Sequence, residues 1–443
     1  MTKNFLYCIA GITFVNNISA QKPNIVYIFT DQQTASAMSC AGNEEIKTPN
    51  IDRLANEGIR FTNAYCSSPL STPSRASMFT GLPSGYTQML TNGSTISPEI
   101  QPNMLGNLVK NAGYDCAYAG KWHLPDSDME NGAWGFQVLH NHNDDGLAES
   151  CVNFIAEKHD KPFFLVASLM NPHNICEYAR GQELPDATIV PSPLADCPSL
   201  PSNFDIAPNE PEAIRMEQRA NIKLYPTINY STDDWRRYRD AYYRLVEHID
   251  IEIGKIISAL EKNKMLENTV IIFSSDHGDG VGAHQWNQKS VLYEEVVNIP
   301  FIVRLPKAKN AGKVKSQLIN NGLEFFATVC DFSGVKPPST YQGKSVRPIL
   351  ENNSKAEIHP YIISETLFDR GKTYGWMVRT PSYKYVVYDR GRNPIQLFDM
   401  KNDRGEMVNL AHKRKYKNLL QQHNQMLQDW LKTNKITNKI TEE

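Results

Sequence analysis

Four short runs of apolar, largely β-branched residues predict strands that are buried on both faces. They are Asn24–Thr30, Phe163–Met170, Thr269–Ser275 and Phe301–Arg304. Two of these runs are followed directly by an acid, Asp31 after the first and Asp276 after the third. Functional side chains of parallel sheets lie just beyond the carboxyl ends of the strands. The pattern therefore predicts a mostly parallel sheet with both acids at one edge.

Apolar residues between these runs recur at the spacing of amphipathic helices. We predict one helix that follows Pro49 and ends at Gly58, and another that follows Pro102 and ends at Gly113. A long amphipathic helix is predicted over residues 233–263. Strands that alternate with helices are typical of an α/β fold, in which helices flank a large, mostly parallel sheet.

The pattern changes after Pro348 to short strands separated by turn residues, with a polar helix near residues 415–432. The strands are predicted at Tyr361–Ser364, Gly375–Arg379, Tyr383–Tyr388 and Gln396–Asp399. Such a series predicts a smaller antiparallel sheet with one helix. We therefore expect a catalytic domain over residues 21–350 and a C-terminal subdomain over residues 351–443.

Residues 175–232 hold many prolines and few periodic stretches, so we expect an irregular insertion that shapes a pocket rim. Cys176 and Cys197 lie within it, and both a disulfide between them and two free thiols are consistent with the sequence. The eight cysteines of the chain are scattered and form no CxxC pair. This spacing argues against a structural zinc site.

The first twenty residues have the organisation of a secretory signal. Lys3 is a basic start, residues 5–15 are mostly apolar, and residues 18–20 end in small side chains ahead of Gln21. We expect residues 1–20 to be a signal peptide; a buried strand is the alternative. The apolar run is too short for a membrane span. The chain has 46 basic and 48 acidic residues, and the basic residues are not clustered into a run. This distribution argues against nucleic-acid binding.

The sharpest motif is Ser-Thr-Pro-Ser-Arg at residues 71–75, followed by Thr80 and Gly81. It resembles the signature of type I sulfatases, which begins with Cys or Ser and continues through Pro-Ser-Arg to Thr-Gly. Taken alone, the segment would equally fit a loop that enters a helix with Ser71 as its cap.

Further segments resemble the same family in the same order along the chain. They are Phe29–Gln33, Gly120–His123, Asn171–His173, Ser275–Asp279, and Lys289 with Tyr293 and Glu294. The resemblance extends from about residue 23 to the C-terminus. It implies an alkaline-phosphatase-like fold and a bacterial member of the serine type.

The resemblance implies that Ser71 is oxidised to formylglycine, the nucleophile of these enzymes, by an oxygen-independent radical maturation enzyme. It also implies a divalent cation held by Asp31, Ser71, Asp276 and His277. Oxygen-rich ligands suit Ca²⁺ or Mg²⁺, and the family favours Ca²⁺. Gln32 departs from many relatives, which carry a second acid there, so the number of ligands stays open.

The family also implies roles for the basic residues of the motifs. Arg75 would hold the nucleophile and the metal-binding acids, and Lys121 and Lys289 would bind sulfate oxygens. His123 would take the proton that triggers sulfate release, and His173 would help Lys289 to protonate the leaving oxygen. Other candidates have weaker support. His284 is a second-rank site residue, and His140 and His142 fit either a substrate loop or a solvated turn. Candidate substrate contacts are Glu177, Arg180, Trp286, Arg390 and Arg392.

These observations predict a sulfatase that hydrolyses sulfate monoesters of carbohydrates, such as glycosaminoglycans or mucin-type glycans. One alternative is a phosphodiesterase or phosphonate monoester hydrolase on the same scaffold, because the two kinds of ester are similar in shape. Another is a glycan-binding protein whose serine stays unmodified. Export of a serine-type bacterial member implies the periplasm or the cell surface.

Overall fold

The computed structural model describes residues 22–124, 133–185, 189–352, 357–368 and 370–436. The predicted signal peptide at residues 1–20 lies outside these ranges. Among the helices in the described ranges, none combines the length and the apolar character that a membrane crossing requires.

The larger of two sheets has eight strands in the order β4-β3-β5-β1-β6-β7-β2-β8. Seven of them are parallel, and β7 runs antiparallel to both of its neighbours. The predicted mostly parallel sheet is thereby confirmed. Its strands are β1 Asn24–Asp31, β2 Ile59–Tyr65, β3 Asp115–Gly120, β4 Gln137–Asn141, β5 Phe163–Pro172, β6 Thr269–Ser275, β7 Phe301–Arg304 and β8 Lys313–Asn320.

Twelve α-helices lie in the described residues, most of them packed against the larger sheet. The long predicted helix is α8, which begins at a capping box between Ser231 and Asp234. The helices are α1 Pro49–Glu57, α2 Ser71–Thr80, α3 Ser84–Thr87, α4 Leu105–Asn111, α5 Leu147–Ala156, α6 Ile175–Ala179, α7 Glu212–Ala220, α8 Thr232–Lys262, α9 Glu294–Val297, α10 Asn321–Ser333, α11 Arg347–Asn352 and α12 Lys417–Thr433.

Strand β1 lies at the centre of the large sheet and is buried along its whole length. Tyr27 and Phe29 point to one face, where the Tyr27 ring stacks on Phe325 of α10 at 3.8 Å between centroids. Val26 and Ile28 point to the other face, in the same apolar cluster as Ile249 and Ile253 of α8. Each fully buried side chain of this kind contributes about 1.5–3 kcal/mol to folding. Helices on both faces therefore hold β1 rigidly.

The smaller sheet is antiparallel, with strands in the order β12-β11-β10-β9. Helix α12 packs on it through Leu427 and Leu431, next to Trp376. This sheet with one helix confirms the predicted C-terminal architecture, and the proposed boundary at residue 350 falls within α11. The strands are β9 Ile362–Phe368, β10 Thr373–Arg379, β11 Tyr383–Tyr388 and β12 Ile395–Asp399.

The insertion at residues 175–232 contains the short helices α6 and α7 among irregular segments. Both of its cysteines are free thiols. The Cys176 Sγ lies 3.5 Å from the side-chain nitrogen of Gln32, whereas the Cys197 Sγ faces the Ser192 carbonyl. A disulfide between them is therefore not the arrangement that the fold adopts.

Candidate active site

The motif residues meet at one edge of the large sheet, where five parallel strands end. Asp31 is the last residue of β1, Lys121 directly follows β3, His173 follows β5, and Asp276 follows β6. Ser71 is the first residue of α2, in the connection that leaves β2. The carboxyl ends of neighbouring parallel strands open at the same edge. The topology thus gathers residues that lie up to 245 positions apart in the sequence.

Helix α2 is buried along its whole length, although six of its ten residues are polar or charged. Leu70, not Ser71, is the N-cap residue, and no side chain caps the helix. The Ser71 hydroxyl is therefore free to face the site, where its Oγ lies 3.0 Å from the His277 Nε2 and 3.3 Å from the Asp31 Oδ2. The interpretation of Ser71 as a simple helix cap is wrong.

Arg75, one turn further along α2, joins the two acids of the site. Its Nη2 lies 3.0 Å from the Asp31 Oδ2 and its Nε 2.9 Å from the Asp276 Oδ2, and all three side chains are fully buried. Its Nη1 donates to the Lys121 carbonyl and to the Ser168 hydroxyl. The rigid fork of guanidinium donors thereby fixes both carboxylates in one orientation.

Asp31, Asp276 and His277 place their ligand atoms within 4.8 Å of one another. The His277 Nε2 lies 3.8 Å from the Asp31 Oδ1 and 3.7 Å from the Asp276 Oδ1. Ligands about 2.4 Å from one cation have separations of this size. The Asp31 Oδ1 is buried and has no hydrogen-bond partner, which is costly unless a cation binds it. The donor set of two carboxylates, an imidazole and the residue 71 oxygen fits a divalent cation.

Lys121 lies against the outer oxygen of Asp31, with 2.6 Å between its Nζ and the Asp31 Oδ2. Burial alone would raise the pKa of Asp31, but Lys121 and Arg75 outweigh it and hold that pKa well below the usual range. Burial lowers the pKa of Lys121. Gly120 makes this turn possible because it adopts a φ of 99°, and a Cβ there would lie 2.1 Å from the Ser168 carbonyl oxygen.

Two histidines of the motifs are neutral in this environment. Burial, followed by Lys121 and Arg75, lowers the pKa of His123 to about 3, and its Nδ1 has no partner. Burial, followed by Lys289 and Lys121, holds the pKa of His173 well below its usual range. Neutral imidazoles are able to accept a proton. Burial also lowers the pKa of His277, and metal ions bind the neutral form of histidine.

The structure brings together all of the residues predicted to be catalytic or metal-binding. The neighbouring charges that shift the pKa of His173 include Lys289, Lys121, Asp31 and His277, so these groups share one site. The Lys289 Nζ donates to the Gln32 Oε1 at 2.9 Å. Lys289, Trp286 and Gln288 also line a small cleft beside α7 of the insertion.

The weaker candidates lie elsewhere or serve the fold. His284 is buried, stacks on Tyr293 at 4.2 Å between ring centroids, and lies 3.4 Å from Asn203. Trp286 is buried, and its indole donates to the Lys289 carbonyl at 3.4 Å, so it supports the lysine loop. The His140 Nε2 lies 3.0 Å from the Asn143 Oδ1 within its own loop. His142 is exposed, with a φ of 63°.

The proposed substrate arginines also have partners of their own. Arg390 and Arg392 are exposed in the turn between β11 and β12, 3.7 Å from Asp389 and 3.2 Å from Glu212 respectively. Arg180 pairs with Glu177 at 3.1 Å and donates to the Tyr225 hydroxyl. Tyr225 lines the cleft beside Lys289, so the Glu177–Arg180 pair supports one wall of that cleft.

Sequence reasoning missed buried residues that hydrogen-bond the backbone and side chains next to the site residues. Asp144 is buried and accepts hydrogen bonds from the backbone and side chain of Asn171, which fixes the end of β5 ahead of His173. Ser168 donates to the Lys121 carbonyl at 2.7 Å, and the Tyr118 hydroxyl donates to the same atom. Of these supporting residues, Asp279 is the one that the sequence could have indicated, because it lies in the matched Ser-Asp-His-Gly-Asp segment.

Comparison with known proteins matches nearly the whole chain. The family profile described as Sulfatase covers residues 23–335, and the profile described as N-sulphoglucosamine sulphohydrolase, C-terminal, covers residues 282–433. A Delta 4,5-hexuronate-2-O-sulfatase of Bacteroides thetaiotaomicron is 31% identical in an alignment 442 positions long, which covers 94% of this chain and 90% of the relative. An N-acetylglucosamine-6-O-sulfatase of the same organism is 28% identical, and that match covers 92% of this chain and 86% of the relative.

A solved structure, described as a complex with its substrate D-glucosamine-2-N,6-O-disulfate, superposes with a TM-score of 0.81. It is 26% identical, and the match covers 96% of this chain and all of that one. The likeness therefore includes both the large sheet and the C-terminal sheet.

Proposed function

The chain belongs to the sulfatase family, and from that premise we propose that it hydrolyses sulfate monoesters of carbohydrates with residue 71 as the nucleophile. The observation that carries this proposal is the position of the Ser71 Oγ. It lies 3.0 Å from the His277 Nε2, beside the buried and unpartnered Asp31 Oδ1. A nucleophile at the centre of a cation site is the arrangement that metal-assisted ester hydrolysis requires.

Two groups would complete this site. Oxidation of Ser71 to formylglycine would supply a hydrated aldehyde, with one hydroxyl for attack on sulfur and a second for the release of sulfate. A Ca²⁺ ion, with Mg²⁺ as the alternative, would supply positive charge that lowers the pKa of the attacking hydroxyl. Asp31, Asp276, His277 and residue 71 would hold the cation, and Arg75 keeps the two acids in place.

The remaining residues act on the ester and its leaving group. Lys121 and Lys289 would bind the sulfuryl oxygens, where their charge stabilises the transition state in a site that excludes water. His123 is neutral, so it can remove a proton from residue 71, and a bound sulfate anion would raise its pKa toward the working range. His173 lies near Lys289 and would help it to protonate the leaving alkoxide.

The substrate class follows from the kinds of protein that this chain resembles. The curated relatives are described as sulfatases of hexuronate and N-acetylglucosamine, so a sulfated sugar from a glycosaminoglycan or mucin-type glycan is proposed here. The predicted signal peptide at residues 1–20 supports export to the bacterial periplasm or cell surface. A radical enzyme that acts on Ser71 before or during export would be the maturation partner.

The mass of the peptide that contains residue 71, from protein purified from its native host, tests the nucleophile. We expect a loss of two hydrogens, about 2 Da, together with reactivity toward aldehyde reagents. The modified protein is then assayed for sulfate release from sulfated mono- and disaccharides, with phosphonate and phosphate esters in parallel. An unmodified serine in active protein would contradict the mechanism, and faster turnover of phosphonates would favour the phosphonate hydrolase alternative. Binding of glycans without turnover would favour a binding protein.

A further inference from the structure

Asp279 lies two residues beyond His277, has no place in the reaction above, and is fully buried. Four donors surround its carboxyl group: the Gln32 Nε2 at 2.7 Å, the Tyr238 hydroxyl at 3.0 Å, and the backbone N–H groups of Val281 at 2.8 Å and Gln288 at 2.9 Å. These donors come from the end of β1, from α8 and from the loop that carries Lys289. All four of these groups donate to Asp279, so its carboxylate accepts at every contact.

The donors and acceptors around Gln32 fix the direction of its amide group. A carboxylate only accepts and an ammonium only donates, so the Gln32 Nε2 must face Asp279 and its Oε1 must face Lys289. The Lys289 Nζ lies 2.9 Å from that oxygen. The Gln32 backbone is held as well, because its carbonyl accepts from the Tyr242 hydroxyl at 2.7 Å. Gln32 is therefore a rigid link between Asp279 and Lys289.

Asp279 also holds Lys289 through the backbone. The Gln288 N–H, next to the lysine, donates to the same Asp279 oxygen that accepts from Gln32. Gln288 and Ser290 both adopt positive φ angles, 75° and 76°, which non-glycine residues rarely do without support. The lysine is thus fixed at both ends, at its backbone through Gln288 and at its ammonium group through Gln32.

From this geometry we propose that Asp279, supported by Tyr238, is a positioning residue for Lys289 and acts through Gln32. The inference rests on the proposed function, in which Lys289 binds the sulfuryl group and protonates the leaving oxygen. It also explains why residue 32 is Gln here. An acid at position 32 would place a second carboxylate within about 3 Å of Asp279, and like charges at that distance repel strongly.

The test is a double-mutant cycle of Asp279→Asn with Lys289→Met in the matured protein. Each Asp279 oxygen accepts from a backbone N–H, of Val281 or of Gln288, so the NH2 group that Asp279→Asn introduces must face a donor on either side. At least one of these hydrogen bonds is then lost, and the hold on Gln32 and Lys289 loosens. We expect kcat/KM for a sulfated sugar to fall about 10- to 100-fold, mostly in kcat. The loss should be smaller for 4-nitrophenyl sulfate, because its leaving group needs less protonation. In the Lys289→Met background, Asp279→Asn should cause little further loss.

Asp250→Asn is the matched control. Asp250 is a buried acid on α8 that accepts from the backbone and side chain of Asn50 and from the Ile51 N–H, far from the site. That variant should lower the melting temperature without a change in the ratio of the two rates. Equal losses on both substrates, or losses that add to those of Lys289→Met, would overturn the inference while the proposed function stands. A matured wild-type protein that releases no sulfate would overturn both.

Discussion

Two buried groups of acids in this protein achieve charge balance in different ways. In the catalytic cluster, defined as Asp31, Asp276 and His277, the side chains Arg75 and Lys121 contact only some of the carboxylate oxygens, and the Asp31 Oδ1 has no partner. The hinge cluster, defined as Glu294, Glu406 and Lys384, joins α9 to the C-terminal sheet. There the Lys384 Nζ lies 2.6 Å from Glu406 and 3.4 Å from Glu294.

Geometry and burial alone do not separate a cation site from a structural ion pair. Glu295 and Glu406 also lie within reach of His284, so their arrangement resembles that of a metal site. Both groups contain buried basic side chains, Lys384 in one and Arg75 with Lys121 in the other. Both also contain a buried carboxylate oxygen without a hydrogen-bond partner, on Glu295 and on Asp31. The match of Asp31 and of Asp276 with His277 to the metal motifs of the family therefore supports the assignment of the cation to the catalytic cluster.

Glu365 of β9 is a buried acid outside both groups, and no lysine or arginine of the described residues forms an ion pair with it. It lines a cavity of about 340 Å³ between the large sheet and the C-terminal sheet, and its carboxyl group accepts from the Gly85 N–H. Burial raises its pKa to about 7. A proton is therefore the partner of this acid at and below neutral pH.

The largest expected effect separates the catalytic cluster from the stability of the fold. Ser71→Ala removes the proposed precursor of the nucleophile, so we expect sulfate release to fall by about 10³-fold or more. The free energy of unfolding should change by less than about 1 kcal/mol, because the Ser71 hydroxyl does not cap α2. Initial rates and urea unfolding measure the two quantities.

Ser77→Ala, on the same buried helix, is the control for Ser71→Ala and should retain full activity. Its hydroxyl faces the Ser84 hydroxyl at 3.3 Å and lies outside the catalytic cluster. A Ser71→Ala protein that keeps more than a few per cent of the wild-type rate would exclude residue 71 as the nucleophile.

Lys384→Met should have the opposite effect, a loss of stability with little loss of activity per folded molecule. It leaves the buried acids Glu294 and Glu406 without their main cation, and breaking a buried pair from one side costs about 3–5 kcal/mol. Urea unfolding, together with the rate per native molecule, measures the result. Lys401→Met, on the exposed surface, should change neither quantity. Near-native stability in Lys384→Met would show that the hinge cluster does not depend on its lysine.

The sequence predicts the catalytic cluster better than the hinge cluster for a physical reason. Asp31 and Asp276 each follow an apolar run that can only be a buried strand, so strand ends and parallel pairing place them together. Lys384 and Glu406 lie in short amphipathic strands and turns, where charged residues are usually solvated. Their burial depends on the docking of two sheets, and no periodic pattern along one segment reports that contact.

The same reasoning explains which parts of the large sheet escaped prediction. Strand β2 mixes apolar and polar residues, β3 and β4 near one edge are short, and β8 alternates between half-buried and exposed positions over residues 313–317 before its three buried residues. Their patterns therefore resemble loops. Strand β7 runs antiparallel to β6 after a connection of 25 residues, residues 276–300, which contains the site residues from Asp276 to Lys289. The link from Asp279 through Gln32 spans 247 positions, and only the folded chain brings these groups together.

Glu365→Gln tests whether protonation balances this buried acid, through the pH dependence of the free energy of unfolding. The folded pKa of about 7 lies above the ordinary value of 4.5, so the folded protein holds a proton that the unfolded chain has lost. The stability contributed by this group is therefore fully present below about pH 4.5 and falls as the pH rises to about 7. The total loss is at most about 3 kcal/mol. The Glu365→Gln variant lacks this loss. Its free energy of unfolding should therefore equal that of the wild type at pH 4.5 and exceed it at pH 8. Equal stabilities at both pH values would contradict the raised pKa.

Tyr65→Phe should have the smallest effect on the free energy of unfolding. It tests whether the neutral tyrosine hydroxyl and the charged Lys384 stabilise the hinge cluster together or separately. The Tyr65 hydroxyl accepts from the Arg379 Nε at 2.8 Å and donates to the Glu294 Oε1 at 2.9 Å. Its removal leaves one buried donor without a partner, which costs about 1–2 kcal/mol, whereas Glu294 keeps Lys384 and Arg404. Urea unfolding of Tyr65→Phe, Lys384→Met and the double variant measures the coupling between them. Because both residues stabilise Glu294, the double variant should differ from the sum by more than about 0.5 kcal/mol; simple addition would mean that the tyrosine and the lysine act on separate parts of the interface.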